Sequence, residues 1–262
     1  MAYIYETHLH TAGVSKCAVS KGADYIAPYK DMGYTGIIVT DHFYHGNSGL
    51  SKKLPWNEWV NEFCRGYEEA KEEGDKRGLD VFFGWEEAFD TCDEYLVYGL
   101  DKAWLLEHPE MRFWSRGEQY AAVKKAGGCV VQAHPFRERD YILRVILSTG
   151  CVDGIEAANG GNEESADALA FRYATKLNKP MTAGTDIHDA KLIKYEYVFG
   201  VYLEKKLTGI ADYVKAICNN EIAGLKTDES RLVFHGTEDV KLPVDVRDEN
   251  DRVTGKQWKE VI

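Results

Sequence analysis

Thr7-His8-Leu9-His10-Thr11 ends the first short apolar run of the chain, residues 3–7, which predicts a strand. Side chains two positions apart in a strand point to the same face, so His8 and His10 should reach into one space. Neutral imidazole is the commonest nitrogen ligand for zinc and related ions, so this pair offers half of a metal site. Histidines and carboxylates later in the chain strengthen this interpretation of the pair.

Three later stretches also predict a strand that runs out into histidine or carboxylate side chains. They are Val39-Thr40-Asp41-His42, Val131-Gln132-Ala133-His134-Pro135 and Ala183-Gly184-Thr185-Asp186-Ile187-His188. Five of the eight histidines lie at such strand ends. Glu86 follows a further predicted strand at residues 79–84. These positions predict one shared site.

The composition, 44% hydrophobic and 29% charged over 262 residues, is typical of an ordinary globular protein. The formal net charge of −11 argues against sequence-independent binding to nucleic acid or to an anionic membrane, because both need a basic surface. The six cysteines are scattered without a CxxC pair, and the chain begins without a signal-peptide pattern. No segment approaches the roughly 20 apolar residues of a membrane span. We therefore expect a reducing, cytoplasmic setting.

Predicted strands and helices alternate along the chain with no linker, which indicates a mainly parallel sheet, either open or closed into a barrel. In both forms the functional site lies at the carboxyl ends of the strands. We favour the barrel, because ligands far apart in sequence converge only if the sheet closes. The pattern also predicts a loop over residues 43–55 that could act as a lid, one long helix over 56–76 and a helix over 141–148.

The chemistry of the candidate ligands favours catalysis over structure. Imidazoles and carboxylates without cysteine suit zinc, manganese or iron(II). Structural zinc usually closes its shell with four ligands, often cysteines, that lie close together in sequence. Here the candidates span residues 8–188.

Five stretches together resemble the motifs of the polymerase-and-histidinol-phosphatase (PHP) metallohydrolases, the histidinol-phosphatase-like members included. They are His8-Leu9-His10-Thr11, Thr40-Asp41-His42, Gly84-Trp85-Glu86, Ala133-His134-Pro135 and Gly184-Thr185-Asp186-Ile187-His188. The resemblance implies an α/β fold, a distorted (β/α)7 barrel that we expect to cover residues 1–222. Residues 223–262 would then form a small C-terminal extension packed on the barrel.

The resemblance also implies two or three divalent metal ions (zinc, manganese or iron) and seven ligands to them: His8, His10, His42, Glu86, His134, Asp186 and His188. His8, His10 and Asp186 would hold one ion together with Glu86. Glu86 would bridge to a second ion that also takes His134. His42 and His188 would hold a third ion.

Other polar residues near these motifs receive supporting roles. Glu87 could compete with Glu86, but the Gly-x-Glu spacing points to Glu86. We expect Asp41 to accept a hydrogen bond that orients a ligand histidine. Glu156 could cap the core or contact a ligand.

The sequence departs from the family pattern at two places. Many three-metal members carry a histidine six residues after the second histidine of the first motif, where this chain has Lys16. They also tend to carry a histidine on the strand after the bridging glutamate, where this chain reads Asp93-Glu94-Tyr95-Leu96-Val97. The first departure weakens the third ion's site and the second weakens the second ion's.

The function we expect is hydrolysis of a small phosphorylated metabolite, a phosphomonoester like histidinol phosphate or a nucleotide, by a hydroxide that bridges two ions. Arg137 could bind two phosphate oxygens. Lys16 could repel a third ion or bind substrate phosphate, and His45 on the predicted lid could protonate the leaving group. The alternatives are hydrolysis of a C–N or lactone bond and a metal-binding module without turnover. No nucleic acid polymer or membrane partner is expected, and the oligomeric state is left open.

Overall fold

The structure is a computed structural model that describes residues 2–89, 92–194 and 197–262. Its strands are β1 Tyr3–Glu6, β2 Gly36–Val39, β3 Asp80–Ala88, β4 Glu94–Tyr98, β5 Cys129–Gln132, β6 Val145–Ser148, β7 Gly154–Asn159, β8 Met181–Gly184, β9 Gly200–Leu203, β10 Gly224–Lys226 and β11 Val244–Arg247. Its α-helices are α1 Ile26–Asp31, α2 Trp56–Phe63, α3 Arg65–Arg77, α4 Lys102–Glu107, α5 Arg116–Lys125, α6 Glu164–Leu177 and α7 Ile210–Cys218.

Nine strands form one mixed sheet in the order β10-β9-β1-β2-β3-β4-β5-β7-β8. Pairs β1–β2, β2–β3, β5–β7 and β7–β8 are parallel, whereas β4 runs antiparallel to both β3 and β5. The antiparallel step follows from the short connection between β3 and β4, because a parallel crossover needs a dozen or more residues. The expectation of a mainly parallel sheet is thus modified at its middle.

The sheet curls until its first and last parallel strands meet beyond their carboxyl ends. Leu9, after β1, bridges in parallel to Ile187, after β8. His10 N donates to Ile187 O at 3.0 Å, and Asp186 N donates to His8 O at 2.8 Å. This contact nearly closes the sheet at one mouth, so the predicted distorted α/β barrel is confirmed.

The helices cover the outside of the barrel and bury its aromatic side chains. The single helix expected over residues 56–76 is two helices, α2 and α3, which meet at Cys64. Trp59 and Phe63 of α2 are buried and pack around Phe43. The aromatic stripe of this segment therefore belongs to the core. Among the described residues, no helix is long and apolar enough to cross a membrane.

The helix predicted over residues 141–148 is wrong, because residues 145–148 form strand β6. This strand pairs in parallel with β11 near the carboxyl end of the chain. The side chain of Gln132 holds β6 from the other side, donating to Ile146 O at 2.6 Å and accepting from Ser148 N at 3.2 Å. Partners distant in sequence thus override the local helical pattern.

Residues 223–262 contribute two strands at different places. β10 adds to the main sheet by pairing with β9, and β11 pairs with β6. Arg144 Nη1, next to β6, donates to Asp245 Oδ1 of β11 at 2.8 Å. The domain boundary after residue 222 stays a prediction.

Candidate metal centre

The seven predicted ligands converge at the mouth where β1 and β8 meet. His8 and His10 follow β1, His42 follows β2, and Glu86 lies within β3, which continues past the expected strand end because it pairs with β4. His134 follows β5, while Asp186 and His188 follow β8. Four groups of three side chains have ligand atoms within 4.8 Å of one another: His10, His42 and His188; His8, His134 and Asp186; His8, His10 and Glu86; His42, Glu86 and Glu94.

The histidines of the first motif face one point. His8 Nε2 lies 3.1 Å from His10 Nε2 and 3.2 Å from Glu86 Oε1. His10 Nε2 lies 3.1 Å from Asp186 Oδ1. His8 and His10 are fully buried, so their imidazoles contact each other and carboxylates instead of water.

Glu86 stands at the middle of the cluster, as expected of a bridging ligand. Its Oε1 lies 3.0 Å from His134 Nε2, and its Oε2 lies 2.7 Å from His42 Nδ1. Burial alone would raise the pKa of Glu86, but His8 and His42 outweigh it and hold this pKa well below its usual value. The ionised carboxylate can therefore contact several positive groups at once. Its neighbour Glu87 points elsewhere and is in none of the four groups.

Sequence reasoning missed Glu94, the first residue of β4, as a member of this cluster. Its Oε1 lies 3.5 Å from His42 Nδ1 and its Oε2 lies 3.4 Å from His134 Nε2. Burial, and next the charge of Glu86, raise the pKa of Glu94 to about 8. Glu94 lies on the strand after Glu86, where the family pattern has a histidine. A search there for any ligand type, instead of histidine alone, would have found it.

The imidazoles of His10, His42 and His188 form the more open side of the cluster. The His10 ring stacks on His42 and on His188, with centroid distances of 4.2 and 4.4 Å. Partial burial opposes ionisation of the nearby Cys17 thiol, but the imidazoles of His188 and His42 outweigh it and lower the pKa of Cys17 to about 6.

Hydrogen bonds to Nδ1 of His8 and His10 fix the orientation and the tautomer of these two rings. His8 Nδ1 lies 2.9 Å from Glu156 Oε1, and His10 Nδ1 lies 3.2 Å from Ser15 Oγ. Ser15 Oγ donates to Asp41 Oδ1 at 2.6 Å, so it accepts from His10. Both rings are thereby set to carry their proton on Nδ1 and to direct the Nε2 lone pair inward. Asp41 orients His10 through Ser15, and Glu156 contacts His8 directly.

Two members of the cluster adopt backbone conformations that side chains other than glycine rarely take. The φ angles are +28° at His134 and +56° at Asp186. Hydrogen bonds hold both residues in place, because His134 N donates to Glu156 Oε2 at 2.9 Å and Asp186 N donates to His8 O. Such conformations concentrate at functional sites, where the surroundings dictate them.

The donor set fits divalent cations. Five imidazoles and three carboxylates meet in a buried space, and this is a ligand set for zinc, manganese or iron(II). His42 Nδ1 and Glu86 Oε2 are close, yet among the described residues neither has a hydrogen bond of acceptable geometry. A bound water or ion is one way in which such buried polar atoms obtain a partner.

Protons can bind to the same donor atoms as a metal ion. Desolvation opposes protonation of His8, but Glu156, Asp186 and Glu86 outweigh it and raise the pKa of His8 well above its usual value. Burial, followed by the charge of His42, lowers the pKa of His10 well below its usual value. Protons and metal ions should therefore compete for this centre.

Arg137 lies at the cluster, although most of its guanidinium is already engaged. Its Nη2 donates to Asp186 Oδ2 at 2.8 Å and to Asn159 Oδ1 at 2.7 Å, and its Nε donates to Asn162 Oδ1 at 2.8 Å. Nη1 makes no hydrogen bond to the part of the chain that the structure describes. The loop after β5 thus holds Arg137 rigidly against a predicted metal ligand.

The other two predicted catalytic residues are not brought into the cluster. Lys16 is exposed, and its backbone N donates to Asn47 O at 2.9 Å. His45 is also exposed, and its Nε2 lies 2.6 Å from Arg112 O. Both roles stay predictions that require these side chains to turn inward.

Comparison with solved structures identifies proteins that have a similar fold. A two-domain protein from Bacteroides vulgatus that contains a predicted PHP-like metal-dependent phosphoesterase matches 84% of this chain and 64% of its own, with a TM-score of 0.57 and 16% identity. This chain shares the PHP-like fold. A proposed metal-dependent phosphoesterase from Bifidobacterium adolescentis matches 88% of this chain and 97% of its own, with a TM-score of 0.50 and 16% identity.

A third solved structure with a similar fold is a nuclease. A lesion-specific endonuclease from Pyrococcus furiosus matches 86% of this chain and 57% of its own, with a TM-score of 0.53 and 13% identity. At such identities the likeness establishes the fold alone. It also weakens the exclusion of nucleic acid from net charge, because a nuclease uses the same fold. No protein-family model and no curated protein matches the sequence.

Proposed function

We propose that this protein is a metal-dependent phosphoesterase. The observation that carries the proposal is the convergence of eight imidazole and carboxylate donors, drawn from six strands and the loops after them, at one buried mouth. Structural sites rarely draw ligands from so many distant segments. A rigid arginine beside the donors adds a group suited to phosphate.

The donors could hold two or three ions of zinc, manganese or iron. His8, His10 and Asp186 would share one ion with Glu86, which would also reach a second ion bound by His134. Glu94 adds a carboxylate to that second set, in place of the histidine that the family pattern has there. Bound divalent cations would activate water and neutralise charge on the phosphate oxygens.

The protein's own groups would position the phosphate. Nη1 of Arg137 makes no hydrogen bond to the described residues, while Nε and Nη2 hold the side chain in place, so a phosphate oxygen could bind without disordering it. A cavity of about 20 Å³ lined in part by Glu94, His134 and Arg137 has room for a water molecule at this point. Water and phosphate would thus meet beside the same three side chains.

A small phosphorylated metabolite suits this site better than a polymer. The imidazoles and carboxylates lie deep, with His8 and Glu86 at most 1% exposed, and His188 on the open side is 30% exposed. The net charge of −11 would repel a polyanion along the protein surface. We also propose a reducing compartment, which the six free cysteines support.

The test compares two adjacent glutamates on β3. Purified protein is stripped with chelator, reloaded with manganese or zinc, and assayed for phosphate release from nitrophenyl phosphate. Glu86→Gln should lower the activity by more than about 100-fold, because it removes the central ligand. Glu87→Gln is the matched control: Glu87 is equally buried but lies outside the cluster. Equal activity of the two variants would exclude the proposed centre.

A substrate panel separates the alternatives. Phosphomonoesters such as histidinol phosphate and nucleotides are assayed beside a lactone, an amide and a duplex oligonucleotide with an abasic site. Hydrolysis confined to small phosphomonoesters would support the proposal. Preferred hydrolysis of the lactone or the amide would replace it by the C–N or lactone reaction, and strand cleavage would replace the metabolite by nucleic acid. Metal binding without turnover of any member would indicate a non-catalytic module.

Arg137 is tested on the same assay. Arg137→Ala should raise the KM for a phosphomonoester and lower kcat, because it removes both the phosphate contact and the partner of Asp186. Arg137→Lys keeps the charge but cannot bind Asp186 and phosphate together. Kinetics unchanged in both variants would remove Arg137 from the site.

A further inference from the structure

A chain of hydrogen bonds leads from the C-terminal extension to Arg137 by way of a turn at the end of β7. Asn162 N donates to Asn159 O at 3.0 Å and closes this turn, residues 159–162. Arg137 contacts the side chains of the turn, and Arg231 of the extension contacts its backbone. The turn therefore joins a residue near the carboxyl end of the chain to the predicted phosphate contact.

The two amide side chains of the turn hold Arg137 through their oxygens. Asn162 Oδ1 accepts from Arg137 Nε at 2.8 Å, and Asn159 Oδ1 accepts from Arg137 Nη2 at 2.7 Å. Asn159 Nδ2 donates to Glu156 Oε2 at 2.8 Å. Asn162 Nδ2 donates to Asp167 Oδ1 at 2.9 Å. Because an amide donates only through its nitrogen, these two carboxylates keep both amide oxygens directed at Arg137.

Arg231 binds Asp167 and the backbone of the turn at the same time. Its Nε donates to Asp167 Oδ2 at 2.8 Å, and its Nη2 donates to Asn162 O at 2.8 Å and to Asn159 O at 3.3 Å. Asp167 is fully buried, and the side chain of Arg231 is 15% exposed. A buried carboxylate needs such a partner to stay ionised in one orientation. Arg231 thus supports the acceptor that orients Asn162.

The extension fixes the position of Arg231 in turn. Arg231 N donates to Asp228 O at 3.1 Å in a short 3-10 turn, residues 229–232, and Asp228 Oδ1 accepts from Ser230 N at 2.9 Å. The guanidinium of Arg231 lies 5.2 Å from the ring centroid of Phe199, which is buried. The C-terminal extension therefore presents Arg231 in a defined place.

The turn has little room to move independently of the site. A methyl group added at Gly160 would lie 2.6 Å from Thr185 O, after β8, and one added at Gly161 would lie 3.0 Å from Arg137 Nη2. Gly160 N also donates to Gly184 O at 3.0 Å. Closely packed interiors transmit displacements, so a shift of the turn would shift Arg137 as well.

We propose that Arg231 is a positioning residue for Arg137, through which the C-terminal extension sets the affinity of the site for phosphate. The inference rests on the proposed function, because the phosphate contact of Arg137 is part of it. With Arg231 in place, Nε and Nη2 of Arg137 stay bonded to the turn, and Nη1 is directed in one way. Without Arg231, the Asn162 amide can turn over, and Arg137 loses its single orientation.

A double-mutant cycle tests whether Arg231 acts through Arg137. Metal-loaded variants are assayed for hydrolysis of nitrophenyl phosphate, and their binding of inorganic phosphate is measured by calorimetry. Arg231→Met should lower kcat/KM by about 10-fold, mainly through KM, and weaken phosphate binding similarly, because misplacement of a positioning group by about 1 Å can cost up to about 100-fold. In the Arg137→Ala background the same change should have less than about a twofold effect, because the group that Arg231 positions is absent.

Arg172→Met is the matched control. Arg172 of α6 also contacts the extension, with its guanidinium 4.4 Å from the ring centroid of Phe234, but it lies outside the chain of hydrogen bonds that leads to Arg137. This variant should keep the native KM and phosphate affinity. If Arg231→Met does not fold, Arg231→Lys takes its place in the cycle, because lysine keeps the charge beside Asp167 but cannot also reach the two backbone carbonyls.

Failure of this proposal and failure of the proposed function give different results. Native-like kinetics of Arg231→Met, or a loss that is equally large with and without Arg137, would overturn the positioning role and leave the phosphoesterase intact. An equal loss in Arg172→Met would do the same, because it would assign the effect to general packing of the extension. No turnover and no phosphate binding by the native metal-loaded protein would overturn both.

Discussion

Glu156→Gln should weaken metal binding although Glu156 is not a predicted ligand. This carboxylate is fully buried and receives three donors. Its Oε1 lies 2.9 Å from His8 Nδ1, while its Oε2 accepts from His134 N at 2.9 Å and from Asn159 Nδ2 at 2.8 Å. A glutamine of the same shape has only one acceptor oxygen and must point its NH2 group at one of these sides.

The two donors on one side decide the orientation of the amide. If the amide oxygen serves His134 N and Asn159 Nδ2, then the amide nitrogen faces His8 Nδ1, which must become an acceptor. The proton of His8 then moves to Nε2 and occupies the lone pair directed at the cluster. Loss of such an orienting partner typically costs 10- to 100-fold in metal affinity. We therefore expect a loss of roughly 1.4–2.7 kcal/mol of binding free energy.

The assay is competition for zinc against a chromophoric chelator at constant pH and ionic strength. Glu87→Gln is the control, because it makes the same chemical change at another buried glutamate of the barrel and should bind zinc as the native protein does. Circular dichroism of the metal-free proteins checks that both variants fold. A zinc affinity of Glu156→Gln within twofold of the native value would refute the tautomer reasoning.

Three further predictions follow from burial and close approach. Gly184→Ala should lower the free energy of unfolding by about 1–3 kcal/mol and weaken zinc binding, because the new methyl group would overlap His8; unchanged urea denaturation would contradict it. Desolvation raises the pKa of Glu87 to about 8, so its contribution to stability is lost as pH rises from its unfolded value towards 8. Glu87→Gln should therefore be more stable than native protein near pH 8, by up to about 1.4 kcal/mol per pH unit over that interval. The same difference in stability between the variant and native protein at pH 5 and at pH 8 would refute this. Glu94→His should shift the bound metal from manganese towards zinc in a competition measured by elemental analysis, and an unchanged ratio would exclude Glu94 as a ligand.

The sequence predicts the position of the centre well because strand ends are a property of local pattern. Each buried strand is recognisable in the sequence as a short apolar run. The polar residues that follow such runs must lie at one edge of a parallel sheet. This rule predicts that His8, His42, His134 and Asp186 lie together. It also predicts that Glu86 lies with them, although that residue lies inside a strand that extends further than its apolar run.

What the sequence could not predict depends on contacts between distant segments. β6 looks helical in isolation, and only its pairing with β11, about a hundred residues later, makes it a strand. The loop of residues 16–19 takes its path from two bonds to distant segments, Lys16 N to Asn47 O and Val19 N to His188 O. Periodicity carries no information about such a path.

The charges of the cluster explain why its supporting residues matter as much as its ligands. Glu86, Glu94 and Asp186 lie together out of water, where three ionised carboxylates would repel one another strongly. Arg137 and His8 offset part of that charge, since they help to hold the pKa of Asp186 well below its usual value even though burial alone would raise it. Burial and Glu86 keep the pKa of Glu94 near 8, so in neutral solution this third carboxyl is protonated until further positive charge arrives. A divalent cation supplies that charge, and its binding should therefore release a proton from Glu94 as well as from His8.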